Sequence, residues 1–311
     1  MSRVTTLLRN LRSFPGYTLM RGAARFATVR TTVAATHRLL NSARMRGVLD
    51  ECQARMEQTL FPSLDRQEFV DRLRRDGIAF GLRLPTETVS EICSWAQQHP
   101  CFADRDPNLG FALNRRSDAE VRLGKPIMLA QYFNTATRCA PVERLATDPA
   151  LRWIAACYLG SVPTFVGANL WWTFPVKALE SDRERHAHLF HRDVDDFRFF
   201  KYFFYLTDVE PGEGAHVCVV ASHREPPVFR RGDRWNIRRY SDEEIARHYP
   251  AARIVEICGP SGTGFAENTM CVHKGRTPVS RPRLLLQLQY ALFDYGVVHD
   301  RRDASELQRV S

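Results

Sequence analysis

Three histidines and a carboxylate crowd one short stretch of the chain, His186-Ala187-His188-Leu189-Phe190-His191-Arg192-Asp193. His191 and Asp193 are two residues apart, so on an extended backbone both project from the same face. With one further histidine from elsewhere they would form a 2-His-1-carboxylate facial triad. That set leaves three positions of an iron(II) ion open for substrate and oxygen. Alone, the His-x-Asp pair is a weak signal, because short patterns recur by chance and a lone histidine is more often a hydrogen-bonded core or surface residue. If the segment is a regular strand, His186 and His188 share the face of Phe190 and not that of His191, and neither is taken as a ligand.

A distant partner set stands nearer the C-terminus. His273 closes the extended run Gly264–Val272 and is followed by Lys274-Gly275. Ten residues on, Arg283 enters the apolar run Leu284–Tyr290. A guanidinium can hold the far carboxylate of a dicarboxylate through two parallel hydrogen bonds while the other end of that molecule chelates a metal. In isolation Arg283 reads as a salt-bridged strand residue.

The elements that must position these groups change character along the chain. Val4, Leu7, Leu8, Leu11 and Phe14 form one apolar stripe at helical spacing, and Pro15-Gly16 breaks it. A second helical stretch covers Thr36 to Glu57. Ser63 caps a helix that runs to Arg75 and ends at Asp76-Gly77, Ile78–Phe80 is a short strand, Thr86 opens a helix to Gln98, and Asp148-Pro149 opens one to Gly160. The period then becomes extended, with strands expected at 164–174, 187–194, 199–207, 215–220, 253–257, 264–272 and 283–293. A helical front followed by many strands predicts an α+β chain, mainly β, with an antiparallel sandwich or barrel. By alternation one of Trp171 and Trp172 faces the barrel interior. An insertion at 224–250 carries six arginines up to residue 240, then Ser241-Asp242-Glu243-Glu244, a capped helix start. Those arginines allow an anionic substrate, although a solvated loop is the preferred reading.

Charge is distributed unevenly. The chain has 311 residues and a formal charge of +9, and residues 1–49 hold nine arginines with no lysine and no acid. The remaining 262 residues balance at 35 basic and 35 acidic. A nucleic-acid partner is therefore not expected, since it needs basic residues on the folded face that tracks phosphates. Residues 1–14 read either as a helix packed on its own domain or as a basic amphipathic segment on a membrane surface, the first preferred. No run approaches the about 18 apolar residues of a membrane span. Eight scattered cysteines without a C-x-x-C pair argue for a reduced, cytoplasmic chain.

From about residue 64 to 293 the sequence resembles the phytanoyl-CoA dioxygenase-like family of iron(II)/2-oxoglutarate dioxygenases. The motifs that carry this are His191-Arg192-Asp193, the block Tyr205–Gly214 leading to Val219-Val220-Ala221-Ser222-His223, then His273 and Arg283. The front, Phe69–Gly77 with Leu84–Ile92, and the helix Asp148–Gly160 also fit. The resemblance implies a double-stranded β-helix (jelly-roll, cupin-like) core flanked by N-terminal helices. It divides the chain into a basic helical extension at 1–60, the dioxygenase domain at 61–300 with its 224–250 insertion, and a tail at 301–311. It implies His191, Asp193 and His273 as ligands of Fe(II), Arg283 as anchor of the 2-oxoglutarate C5 carboxylate, and Phe203 as an aromatic wall of the cosubstrate pocket. O2 would be the second cosubstrate, and a small or medium-sized metabolite would be hydroxylated or otherwise oxidised, with succinate and CO2 as co-products. The alternative is an inactive dioxygenase-like scaffold held at a membrane by its basic front. Halogenating relatives have a small residue where Asp193 stands, so the carboxylate points to oxidation. One departure is Val220-Ala221, where the family has Pro-Gly before Ser222-His223, and His223 is read as structural.

Overall fold

The computed structural model describes residues 13–176, 188–225, 228–229, 233, 238–297 and 300–310. The expected helix at 1–14, with the membrane contact attached to it, falls almost wholly outside these residues, as does His186. Among the described residues no helix is long and apolar enough to cross a membrane.

Three helices lead: α1 (Pro15–Ala23), α2 (Ala27–Leu40) and α3 (Ser42–Ala54). Pro15 does not break a helix; it is the first residue of α1, where a missing N–H costs nothing and a fixed φ suits the helix. The single helical stretch expected from Thr36 to Glu57 is α2 and α3, divided at Asn41, whose side-chain amide donates to the His37 carbonyl at 2.9 Å. Next comes α4 (Arg66–Asp76), capped by Asp65 and not by Ser63: the Asp65 carboxylate accepts the Glu68 N–H at 3.0 Å. Gly77 ends α4 at φ 74°, and a Cβ there would run into Cys271 and His223.

The chain continues through β1 (Ile78–Arg83), α5 (Thr86–Gln98), β2 (Cys101–Ala103), β3 (Gly110–Phe111) and β4 (Leu129–Tyr132). Asp148 then caps α6 (Pro149–Leu159), accepting the N–H groups of Ala150 and Leu151. Its carboxylate also takes the Thr59 hydroxyl and the Leu60 N–H, which ties the N-terminal helices to the domain. After α6 come β5 (Thr164–Thr173), β6 (Phe199–Tyr205), β7 (His216–Val219), α7 (Asp242–His248), β8 (Ile254–Ile257), β9 (Thr263–Glu267), β10 (His273–Gly275) and β11 (Arg283–Ala291).

Two antiparallel sheets make the expected helix-fronted jelly roll. The larger runs β1-β9-β6-β11-β5-β4-β2-β3 and the smaller β10-β7-β8. One face of the larger sheet packs Phe200, Phe204, Leu286 and Leu288 against Phe69, Leu73 and Ile92 of α4 and α5 and Leu151 and Ile154 of α6. Each of those four sheet residues is fully buried, worth about 1.5–3 kcal/mol apiece. The opposite face meets the smaller sheet through Phe203, Tyr205, Phe265, Leu285 and Cys218. Because β6 is covered on both faces, its sequence Phe-Phe-Lys-Tyr-Phe-Phe-Tyr is buried throughout, lysine included. At the C-terminal end, Gly110 exchanges backbone hydrogen bonds with Gln308 and Val310 at 2.9 and 2.7 Å.

Two strand expectations need correction. The strand expected at 187–194 is not formed by its described residues, 188–194, of which only Phe190 and His191 make bridges, to Tyr240 and His273. The run 264–272 is not one strand either. It ends at Glu267, turns through Asn268, whose side chain accepts the Met270 N–H at 3.1 Å, and restarts at His273, so this histidine opens a strand instead of closing one. The departure at Ala221 has a structural signature as well. Ala221 takes φ 61°, the left-handed conformation that glycine adopts freely. The turn is pinned by Ser222, whose hydroxyl donates to the Val219 carbonyl at 2.6 Å and accepts the Val272 N–H at 2.7 Å. Ala221→Gly is therefore expected to stabilise the fold by about 1 kcal/mol, read as a rise in the denaturant midpoint.

Candidate metal centre and its cavity

His191 and His273 stand directly opposite each other and exchange two backbone hydrogen bonds of 2.9 Å each. Such a pair sends its two side chains out on the same side. The third residue is fixed by its own backbone, since the Asp193 N–H donates to the Thr269 carbonyl at 2.8 Å. His191 Nε2 lies 3.7 Å from Asp193 Oδ1, and His273 Nε2 lies 3.7 Å from Asp193 Oδ2. Donor atoms of all three fall within 4.8 Å of one another.

The imidazole tautomers follow from their other nitrogens. His191 Nδ1 is 2.9 Å from the Leu189 carbonyl, and His273 Nδ1 is 2.9 Å from the Cys271 carbonyl. A carbonyl only accepts, so both Nδ1 atoms carry the proton and both Nε2 lone pairs face Asp193. This is the arrangement in which histidines ligate metals, the far ring nitrogen held by a backbone acceptor. Burial, with His273 beside it, keeps the His191 ring neutral well below its usual range.

Lys201 completes the inner arrangement. It is buried in the middle of β6 and donates to Asp193 Oδ2 at 2.7 Å and to Asp195 Oδ2 at 2.9 Å. Burial works against its charge, but the two carboxylates outweigh that and hold the ammonium protonated. Burial likewise raises the Asp193 carboxyl, yet the Lys201 ammonium beside it outweighs that and holds it well below the usual carboxylate range. With one oxygen committed to Lys201, Asp193 has the other to offer a metal.

These groups open on a cavity of about 450 Å³. Arg283 lines it, buried, and donates to the Gly214 carbonyl and to Thr173 Oγ1 at 3.2 Å. Its Nε is buried without a hydrogen-bond partner, and no carboxylate pairs with it among the described residues. Burial lowers its pKa from the ordinary arginine value. Phe203 lines the same cavity, its ring 4.9 Å from that of His216. His216 stacks on His273 at 5.4 Å and 14°, and burial drives its pKa down to about 3. Trp171 lines the cavity, whereas Trp172 faces the helices and donates to the Tyr132 hydroxyl at 3.0 Å.

The structure thus brings together all five residues singled out from the sequence. His188 also reaches the cavity, its Nδ1 2.7 Å from Thr277 Oγ1, because the segment is not the regular strand assumed for it. The solvated-loop reading of the insertion fails for Arg238 and Arg239, which line the cavity, Arg238 being braced by Asp233 and Glu244. Sequence reasoning passed over Lys201, although a lysine inside an aromatic strand was a visible anomaly, since a buried charge demands a partner. A second donor cluster, Cys218, Glu267 and Cys271, is wholly buried. Burial raises Glu267 to about 8, its carboxyl is bonded to His216 Nε2 at 2.5 Å, and Cys271 Sγ lies 3.3 Å from His223 Nδ1, so this group reads as hydrogen-bonded core.

No family model and no curated protein sequence matches the chain. Solved structures resemble it at low identity. The non-heme alpha ketoglutarate dependent epimerase SnoN from nogalamycin biosynthesis aligns at 16% identity over 73% of this chain and 82% of its own, with TM-score 0.46. HygX from Streptomyces hygroscopicus, solved with nickel, 2-oxoglutarate and hygromycin B bound, aligns at 14% over 72% and 86%, with TM-score 0.49. AviO1 from Streptomyces viridochromogenes Tue57 aligns at 18% over 74% and 96%, with TM-score 0.48.

Proposed function

We propose that the chain is an iron(II)/2-oxoglutarate-dependent oxygenase that oxidises a small or medium-sized metabolite. The observation that carries this reading is the pair of Nε2 lone pairs and the Asp193 carboxylate converging on one cavity that also holds a buried arginine with no carboxylate partner among the described residues. The donor set suits iron(II): two neutral imidazoles and one carboxylate, all from one side. His191, Asp193 and His273 would hold the metal. Arg283, steadied by Thr173, would hold the far carboxylate of 2-oxoglutarate, and Phe203 would wall that pocket. When bound, iron with 2-oxoglutarate and dioxygen supplies the oxidising chemistry and leaves succinate and CO2.

The protein's own contribution is placement and exclusion of water. The backbone bonds of His191 and His273 fix the ring separation before any ligand arrives, and Lys201 fixes the Asp193 rotamer. A carboxylate at 193 occupies the position that a halide would need, which favours hydroxylation or another oxidation over halogenation. Full-length protein loaded anaerobically with iron(II), then given 2-oxoglutarate and air, is expected to form succinate even without its substrate. No succinate under conditions in which a control oxygenase works would overturn the reading.

A further inference from the structure

The N-terminal segment reaches the cavity. Tyr17 and Arg21 of α1 both line it, four residues apart and therefore on one helix face. The Tyr17 hydroxyl donates to Asp195 Oδ1 at 3.2 Å, and the other oxygen of Asp195 accepts from Lys201 at 2.9 Å. A continuous chain of hydrogen bonds therefore runs from α1 through Asp195 and Lys201 to Asp193. Met20 and Ala24 seat the same helix against Val194, Phe199 and Met270.

Arg21, so placed, has a buried Nε without a hydrogen-bond partner among the described residues, and its guanidinium rests over the Tyr17 ring, 5.6 Å from the centroid. A second cation enters from the edge of the larger sheet. Asp104 and Arg105 take φ 55° and 62°, two successive left-handed residues neither of which is glycine. Backbone strain of this kind persists where surrounding structure enforces it, often at functional sites. Here it sets Arg105 on the cavity wall, 5.8 Å from the Trp171 ring centroid.

Strand register separates α1 from Arg283. On β11, Arg283 pairs with Thr173, whereas Gln289, six residues on, pairs with Lys201. Six strand residues span about 20 Å. The metal-ligand residues lie between, since Asp193 touches Lys201 and β10 leads from His273 to Gly275 beside the Arg283 guanidinium. Among the described residues seven cationic side chains line the cavity; Lys201 is answered by Asp193 and Asp195 and Arg238 by Asp233 and Glu244, and the other five arginines outnumber the lining carboxylates. A divalent metal and a dianionic cosubstrate at the Arg283 end would leave that excess intact.

We infer that the substrate carries an anionic group, a phosphate monoester or a carboxylate, which Arg21 receives at the Lys201 end of the cavity with Arg105 adding to the field. The helix α1 is then a wall of the substrate site. That this anion belongs to a substrate rests on the oxygenase reading; that the cavity binds one does not. Phenyl phosphate and benzoate are titrated calorimetrically into the full chain, both metal-free and with Mn(II) and saturating 2-oxoglutarate. Binding of at least one is expected, weakened at least about tenfold by Arg21→Gln and largely restored in Arg21→Lys, which a misfolded chain could not do. The stronger of the two ligands identifies the anion. Neither ligand binding, or equal binding by wild type and Arg21→Gln, would overturn the inference. Anion binding that depends on Arg21 in a chain that fails to bind 2-oxoglutarate would instead overturn the oxygenase reading and leave the anion site standing.

Discussion

An Asp193→Ala chain is expected to lose iron-dependent succinate formation by about 10²–10⁴-fold while remaining folded. Among the described residues Asp193 is the only carboxylate facing the two Nε2 atoms, so its loss removes the charge that draws a divalent cation. Truncating one partner of a desolvated charge pair costs about 2–5 kcal/mol of binding, which brackets the fold-range stated. Folding should survive because Lys201 keeps its second carboxylate, Asp195. Asp193→Asn separates charge from shape, since the amide has the same outline without the charge. Metal affinity and succinate yield, measured side by side for the three chains, check this. Activity in Asp193→Ala within a few-fold of wild type would remove Asp193 from the metal site.

The second large effect has opposite signs on function and stability. Arg283 is buried and donates only to a carbonyl and a hydroxyl, with no carboxylate partner among the described residues. An uncompensated buried cation is a cost to the fold unless a ligand supplies the anion. Arg283→Met is therefore expected to raise the KM for 2-oxoglutarate at least about 30-fold, from losing a charge-assisted hydrogen-bonded pair worth about 2–5 kcal/mol. In the absence of 2-oxoglutarate the same chain should melt no lower than wild type. A purely structural Arg283 gives the reverse, a lower melting temperature with KM nearly unchanged. Kinetics and calorimetry on the one variant distinguish the two.

Residues carrying this chemistry were legible in proportion to how local their signals were. His191, Asp193, His273 and Arg283 each interrupt or border an apolar extended run, and their order along the chain carried the family resemblance. The helix α6 was readable to its ends because Asp148-Pro149 and Gly160 are start and stop signals. The turn at 268–272 was hidden because Thr-Met-Cys-Val looks like strand; Asn268 closes it twice, its side chain accepting the Met270 N–H and its carbonyl the Cys271 N–H. Lys201 was visible as an anomaly but had no readable partner, since its bonds to Asp193 and Asp195 depend on how a non-strand segment folds back. The contribution of α1 was not legible at all. Tyr17 meets Asp195 across 178 residues, and nothing in an arginine-rich, acid-free front distinguishes a pocket wall from an appendage.

Anaerobic titration of iron(II) into the full chain with 2-oxoglutarate, followed by visible absorption, tests the central claim most directly. The arrangement of His191, Asp193, His273 and Arg283 predicts a charge-transfer band that saturates at about one iron per chain and is absent from His273→Ala. A band of equal intensity in His273→Ala, or no band when wild type has bound iron and 2-oxoglutarate, would contradict it.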